Sequence, residues 1–198
     1  LMGCSSSKNS NSSTASSTES KKELTPVTLN EVAHSIFYAP QYAAIELGYF
    51  EEEGILLTLD TGFGADKTMT ALISGNADIG FMGSEASIYT YKEGNEDFAV
   101  NFAQLTQRAG NFLVSREQND SFSWSQLKGS TVIGGRKGGM PEMIFEYILR
   151  EHGLDPKNDL TINQSIDFGS TAAAFSGGQG DFTVELYLLL HPPYIENI

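Results

Sequence analysis

The 198-residue chain has one cysteine, Cys4, and three histidines, and it lacks any long apolar run. A single cysteine excludes a disulfide within these residues and a thiolate metal cluster. No stretch approaches the roughly 18 apolar residues of a membrane-spanning helix. Basic residues are scarce, because 12 Lys and Arg stand against 25 Asp and Glu, which leaves a net charge of −13. Such a surface repels phosphate backbones and disfavours nucleic-acid binding.

The rest of the composition is typical of a globular protein. Hydrophobic residues make up 40% and charged residues 19%, and the length suits one ordinary domain or two small lobes. Residues 5–20 differ, because they are almost all Ser, Asn and Thr and contain no large apolar side chain. Such a segment cannot offset its ordering entropy. We therefore expect residues 1–24 to form a flexible tether, with globular sequence beginning at 25.

From residue 25 onward, short apolar runs alternate with segments of helical spacing. The apolar runs are bounded by turn residues, and they predict strands at 27–32, 55–60, 78–82, 98–105, 111–114, 131–134, 160–163 and directly after Asp181. Strands that alternate with short helices imply a parallel-rich sheet with right-handed crossovers, and hence an α/β fold.

Helices are predicted between these strands. They cover residues 40–53, 65–74, 84–92, 141–152 and 169–175. Pro40 suits the first turn of a helix, Gly54 suits the end of one, and Ser84 suits an N-terminal cap.

The order of elements repeats along the chain. Ser74-Gly75 and Ala77-Asp78 precede one apolar strand, and Ser176-Gly177 and Gly180-Asp181 precede another. Two such units predict two similar lobes, at 25–110 and 111–186, which would face each other across a cleft. Chance similarity between α/β units is the alternative.

Several runs resemble one family of solute-binding proteins. They are FYAPQYAA at 37–44, GYFEEEGI at 48–55, ALISGNADIG at 71–80, GSE at 83–85 and, more loosely, GGRKGG at 134–139. Members serve ABC importers for nitrate, sulfonates, taurine and thiamine precursors, and thiamine-pyrimidine synthases belong to the same group. The resemblance implies a two-lobed periplasmic-binding-protein (type II, Venus-flytrap) fold that closes on one small molecule. It also implies an ABC permease as partner, a monomeric state and no cofactor.

Both ends of the chain carry further predictions. Leu1-Met2-Gly3-Cys4, followed by serines, resembles a bacterial lipobox, which implies a lipid-anchored Cys4 at the extracytoplasmic face of the cell membrane. A chance tetrapeptide is the alternative. After Leu186, residues 187–198 depart from the family pattern. They suggest a C-terminally truncated or frameshifted product that lacks the completion of the first lobe, with a short natural variant as the alternative.

Candidate ligand contacts follow from the rule that open α/β sheets bind beyond the carboxyl ends of their strands and at helix N-termini. The residues so selected are His34, Tyr38, Gln41, Gly62, Gly64, Ser84, Glu85, Gln104, Arg136, Gly138, Gly139 and Met140. Thr106 and Asp167 are weaker candidates.

Simpler roles stand beside these. Asp66 and Ser84 would cap helices, the Lys67 and Arg136 side chains would be solvated, and Trp124 would cover the core.

The leading functional hypothesis is a lipid-anchored solute receptor that performs no chemistry. An enzyme on the same fold is the second. The resemblance counts against an enzyme. The pyrimidine-making branch carries a cysteine-rich motif, whereas the only cysteine in this sequence is Cys4, and that branch has a histidine near the position where this chain has Tyr38. A nonfunctional remnant is the third. Tyr38, Phe63 and Met140 would suit a pyrimidine ring, whereas Arg136 and the glycine turns would suit a sulfonate or another oxyanion. The sequence leaves this choice open.

Overall fold

A computed structural model describes residues 23–94, 96–107 and 110–186. The predicted tether with its lipidated Cys4, and the predicted atypical tail at 187–198, lie outside the described residues. No helix within the described part is long and apolar enough to cross a membrane.

Strands and helices alternate through most of the described chain. The strands are β1 (Thr25–Glu31), β2 (Ile55–Thr61), β3 (Ile79–Phe81), β4 (Asn111–Ser115), β5 (Thr131–Ile133), β6 (Thr161–Asn163) and β7 (Phe182–Leu186). The α-helices are α1 (Ala39–Glu46), α2 (Tyr49–Glu52), α3 (Ala65–Ile73), α4 (Glu85–Lys92), α5 (Met140–Glu151) and α6 (Thr171–Ser176). Short 3₁₀ turns occur at Ile36–Tyr38, Trp124–Leu127 and Phe168–Ser170.

The strands form two separate sheets. The first is parallel throughout, in the order β2-β1-β3. The second has the order β4-β7-β5-β6, in which β5 runs parallel to both neighbours and β4 pairs antiparallel with β7. We refer to residues 23–94 as the N-terminal unit and to residues 111–186 as the C-terminal unit. The predicted parallel-rich α/β fold is confirmed, whereas the domain boundaries stay predictions.

The two units share one plan. Read as β6-β5-β7, the second sheet has the strand order of the first, and an aspartate ties the strands in each. The Thr28 N–H donates to Asp78 Oδ2 at 2.8 Å, and the Asp78 N–H returns a bond to the Thr28 carbonyl at 2.9 Å. In the same way, the Thr131 N–H donates to Asp181 Oδ2 at 2.8 Å, and Asp181 N–H bonds the Thr131 carbonyl at 2.7 Å. The sequence repeat therefore has a structural counterpart.

The main hydrophobic core lies in the C-terminal unit. One face of α5 supplies Phe145 and Leu149, which are four residues apart and so meet on one side of the helix. They pack with Val132, Val184 and Leu127 under the sheet. Trp124 packs against this cluster, so its predicted role as core cover is confirmed. The N-terminal unit has a smaller cluster built on Ala65, Met69 and Ala86.

Two predicted elements were wrong. The helix expected over 40–53 is split into α1 and α2, because Gly48 takes a left-handed conformation at φ 75°. The strand expected over 98–105 is irregular chain, in which Phe102 and Val100 are among the most exposed apolar side chains. Its β-type composition finds no neighbouring strand, and strand propensity depends on such a partner.

Candidate functional site

The site centres on Glu31, at the carboxyl end of β1. Its side chain is 0% exposed and accepts four hydrogen bonds. The donors are Gln41 Nε2 at 3.0 Å, Tyr42 Oη at 2.9 Å, Thr61 Oγ1 at 3.3 Å and the His34 ring, whose Nδ1 lies 2.9 Å away. The parallel register of β1 and β2 brings Glu31 beside Thr61. Four donors replace the water that a buried carboxylate loses.

Tyr38 lies next to this carboxylate. Its ring packs on Phe81 with centroids 4.5 Å apart. Burial, assisted by the charge of Glu31 and then by Tyr42 and Glu85, raises the pKa of Tyr38 to about 12. The pKa of Tyr42 is also raised to about 12, chiefly by burial. Both phenols therefore keep their protons at neutral pH and remain hydrogen-bond donors.

Glu85, the first residue of α4, is a second buried carboxyl group, only 4% exposed. It folds back over Gly83, and a Cβ at that position would collide with its oxygens. Neither oxygen has a hydrogen-bond partner in the described part of the chain. Burial raises the pKa of Glu85, and the nearby backbone N–H groups of Glu85 and Met140 offset part of that rise. Met140 belongs to the C-terminal unit, so Glu85 stands where the two units meet.

We call Glu31, Tyr38, Gln41, Tyr42 and Glu85 the polar wall. All five belong to the N-terminal unit. Glu31 ends β1, and the other four lie in the turns and first helical turns that follow β1 and β3.

An ion cluster joins the two units beside this wall. Arg136 holds Asp66 with two bonds, Nε–Oδ1 at 2.8 Å and Nη2–Oδ2 at 2.7 Å. The same guanidinium reaches Asp167 Oδ1 at 2.7 Å, and Lys67 Nζ meets that oxygen at 3.0 Å. The hydrogen bonds from Arg136 hold the pKa of Asp66 below its usual range, while Asp66 raises the pKa of Arg136. This cluster spans the gap between α3 and the C-terminal unit. Gly64 permits it, because a Cβ there would lie 2.8 Å from Arg136 Cδ.

The N-terminus of α5 faces the same region, and one of the backbone N–H groups there is already bonded to a side chain of this chain. Gly139 precedes the helix without a side-chain cap. The Gly138 N–H donates to Glu142 Oε2 at 3.2 Å, and Gln164 Nε2 donates to the other oxygen at 2.8 Å. Burial, and then the neighbouring Glu146, raises the pKa of Glu142. An anion approaching this helix would meet a carboxyl group that already uses one of the N–H groups.

Five of the twelve predicted contacts lie in or against the polar wall. Tyr38, Gln41 and Glu85 lie in the polar wall. His34 reaches Glu31 from an exposed position, and Met140 approaches Glu85 from the other unit.

Others have structural tasks or lie apart. The Gly62 N–H bonds the Glu31 carbonyl at 2.8 Å. The Ser84 side chain is exposed and makes no capping bond, so its predicted capping role was wrong. Gln104 is exposed in irregular chain and donates to the Thr106 carbonyl at 3.0 Å. The solvated role considered for Arg136 was also wrong, because its guanidinium is ion-paired and mostly buried, whereas Lys67 is ion-paired but remains exposed.

Sequence reasoning missed four residues of the site, which are Glu31, Tyr42, Thr61 and Glu142. Glu31 was assigned to a strand, although an acidic residue closing an apolar run is itself a signal. Thr61 and Glu142 gave no comparable signal, because their roles depend on pairing between distant segments.

Arg116 lies in a separate shallow depression lined by Ser115, Asn119 and Phe182. Its guanidinium donates to the carbonyls of Phe175 and Gln179, both at 2.9 Å. Because these carbonyls close the end of α6 and the turn after it, Arg116 stabilises a helix C-terminus.

The described ranges contain no cluster of side chains suited to bind a metal ion. Within them, no group of three or more His, Cys, Asp or Glu side chains is arranged to hold an ion. The ring of His152 stacks on Trp124 at 5.0 Å, far along the chain from His34. His191 lies outside the described residues.

The fold and the polar wall at its strand ends define an α/β protein of the periplasmic-binding-protein type. The chain belongs to the NMT1/THI5-like family, which matches residues 36–191.

One curated relative is YtlA of Bacillus subtilis (strain 168), named as a candidate binding protein. It is 50% identical over 167 residues, which cover 84% of this chain and 50% of YtlA.

Two solved structures share the fold. A protein from Bordetella bronchiseptica RB50 has a TM-score of 0.69 at 22% identity, over 84% of this chain and 52% of its own. The periplasmic aliphatic sulphonate binding protein SsuA from Escherichia coli has a TM-score of 0.52 at 17% identity, over 83% of this chain and 55% of its own. These likenesses establish the fold and confirm the predicted architecture. The chain spans about half the length of each relative named here.

Proposed function

We propose that this chain serves as an extracytoplasmic solute-binding protein of an ABC importer, which closes its two units on a small polar or heteroaromatic solute. The observation that carries the proposal is the meeting of both units beside the polar wall. Arg136 and Asp167 from one unit bond Asp66 and Lys67 from the other, and Met140 approaches Glu85. A cleft bounded by two lobes and bridged by polar contacts suits capture and release.

The placement of the wall agrees with this role. In open α/β sheets, ligands bind in the crevice beyond the carboxyl ends of the strands. Glu31 ends β1 and Thr61 ends β2, so the site stands where the fold favours binding. The family match and the name of the YtlA relative support binding rather than turnover.

Anchoring and partner form the second part of the proposal. Acylation of Cys4 would hold the protein at the outer face of the membrane beside an ABC permease. Metabolic labelling with an alkyne fatty acid tests this directly. We expect a labelled membrane protein, and the Cys4→Ser variant should lose both label and membrane association. Equal membrane retention of the variant would contradict the anchor.

A thermal-shift screen of the full chain tests solute binding. The panel contains thiamine-precursor pyrimidines, sulfonates, taurine and nitrate, and we expect a concentration-dependent rise in Tm with at least one compound. Cooperative unfolding without a shift for any of them would contradict the proposal. Mass spectrometry of the bound compound after incubation should find it unchanged, whereas a new product would favour the enzyme.

A further inference from the structure

The polar wall has hydrogen-bond acceptors that nothing in the described chain fills. Native proteins pair the great majority of their buried polar atoms, so an unpaired one calls for a partner. Among the described residues, the buried side-chain atoms without a partner are Gln41 Oε1, both oxygens of Glu85 and Asn111 Nδ2. Three of these four atoms are acceptors, and all three belong to the polar wall.

Gln41 and Glu85 are connected to the rest of the wall through Glu31 and Tyr38. Gln41 is bonded through its Nε2 to Glu31 at 3.0 Å, which leaves its oxygen free. The carboxylates of Glu31 and Glu85 both act on the Tyr38 phenol. Tyr38 therefore lies near both glutamates, so an aromatic ring accompanies the two carboxyl groups.

Two cations near the wall, Arg136 and Lys67, and the His34 ring are already engaged, whereas Lys137 beside Arg136 is exposed. Arg136 and Lys67 are bonded to Asp66 and Asp167, and the His34 ring is bonded to Glu31. The Gly138 N–H at the start of α5 is bonded to Glu142. An acceptor-only solute such as a sulfonate would leave the free acceptors unpaired and would face two buried carboxyl groups.

We infer that the cleft selects a small solute that carries an ammonium, amidinium or ring amino group, and that Glu85 is the residue that specifies it. The donor group meets the Glu85 carboxylate and Gln41 Oε1, while Tyr38 packs against the rest of the solute. This inference rests on the proposed function, because it names the class of solute for the same cleft.

Matched probes of opposite charge test the inference by titration calorimetry on the full chain. Benzylammonium and benzenesulfonate share a ring, and 4-aminopyrimidine and nitrate extend each class. We expect the amine-bearing probes to bind at least tenfold more tightly than the anions. Tighter binding of the anions would overturn the inference and leave the proposed function standing. Absence of binding by all four to a cooperatively folded chain would count against both.

Two variants isolate the specifying residue. Glu85→Gln keeps the shape of the side chain but removes its charge, and it should weaken benzylammonium binding at least tenfold. Glu185→Gln is the matched control, because Glu185 is also fully buried but both its oxygens are bonded, to Thr171 and Thr183. Affinity in the control should stay within twofold of the parent. Equal affinity in Glu85→Gln and the parent would overturn the role of Glu85. Circular dichroism verifies that each variant is folded.

Discussion

The two units share a strand order and an aspartate clamp, yet they differ in what covers the sheet. In the C-terminal unit, β4 adds an antiparallel strand on the outer side of β7, and α5 packs over a continuous apolar core. In the N-terminal unit, β3 pairs only with β1 among the described residues. Most of the exposed large apolar side chains lie in this unit and in the irregular chain that follows it. The same strand arrangement thus supports the main hydrophobic core in the C-terminal unit and the polar wall in the N-terminal unit.

This contrast separates stability from binding. The buried glutamates of the polar wall lie on the unit with the smaller core, whereas the C-terminal unit contributes Arg136 and the start of α5. Changes in the core should therefore act chiefly on folding of the C-terminal unit, and changes at the junction should act on closure.

The largest expected effect is on the C-terminal core. Leu149 is 0% exposed, so Leu149→Ala should lower the free energy of unfolding toward the upper part of the range of about 2–5 kcal/mol seen for such truncations. Met69→Ala, in the smaller cluster, should fall in the lower part of that range. Urea titration followed by circular dichroism, and by fluorescence of the single tryptophan Trp124 in the C-terminal core, measures both. A larger loss in Met69→Ala would contradict the comparison.

A smaller effect is expected where the units meet. Arg136→Gln removes the bonds to Asp66 and Asp167 and should cost about 1 kcal/mol, because partly exposed ion pairs are each weak. The cost should shrink in 1 M salt, which screens such pairs.

Arg150→Gln is the control for the junction. It breaks a pair with Glu146 inside α5 and should cost only about 0.3–0.5 kcal/mol. If the control lost as much as Arg136→Gln in urea titrations, the junction would have no special role in joining the units.

Apart from the Arg150→Gln control, the smallest expected effect concerns the buried carboxyl group of β7. Burial raises the pKa of Glu185 despite its bonds from Thr183 and Thr171. A raised pKa means that the folded state binds the proton more tightly, so the charged group destabilises the fold at neutral pH. Glu185→Gln should therefore be more stable by about 0.5–1 kcal/mol at pH 7. The difference should shrink as the pH falls through the raised pKa, and an advantage that grew in acid would contradict this sign.

Local patterns were enough to predict much of the fold. Turn residues bound the runs at β1, β2 and β7, and the alternation of elements led to the correct fold class. The break between α1 and α2 at Gly48 was not predicted, because an apolar stripe at helical spacing continues across it, formed by Tyr42, Ile45, Tyr49 and Phe50. Such a stripe indicates that apolar side chains share one face of a helix, but it does not reveal a single residue with a left-handed backbone conformation.

The location of the site could be predicted from the sequence, but the hydrogen bonds within it could not. The strand-end rule led to Tyr38, Gln41 and Glu85. It could not show that Glu31 would gather four donors, because those bonds depend on the register of β1 with β2 and on the start of α1. Likewise, Arg136 was predicted to face a solute, and only the tertiary structure pairs it with Asp66.

The central claim is that the two units close on an amine-bearing solute. The most direct test measures the distance between spin labels at Thr70→Cys on α3 and Tyr147→Cys on α5, both exposed positions, in a Cys4→Ser background. Saturating benzylammonium or 4-aminopyrimidine should narrow the distance distribution to one short population, and benzenesulfonate should leave it unchanged. An identical distribution with and without a calorimetrically bound amine would contradict the account.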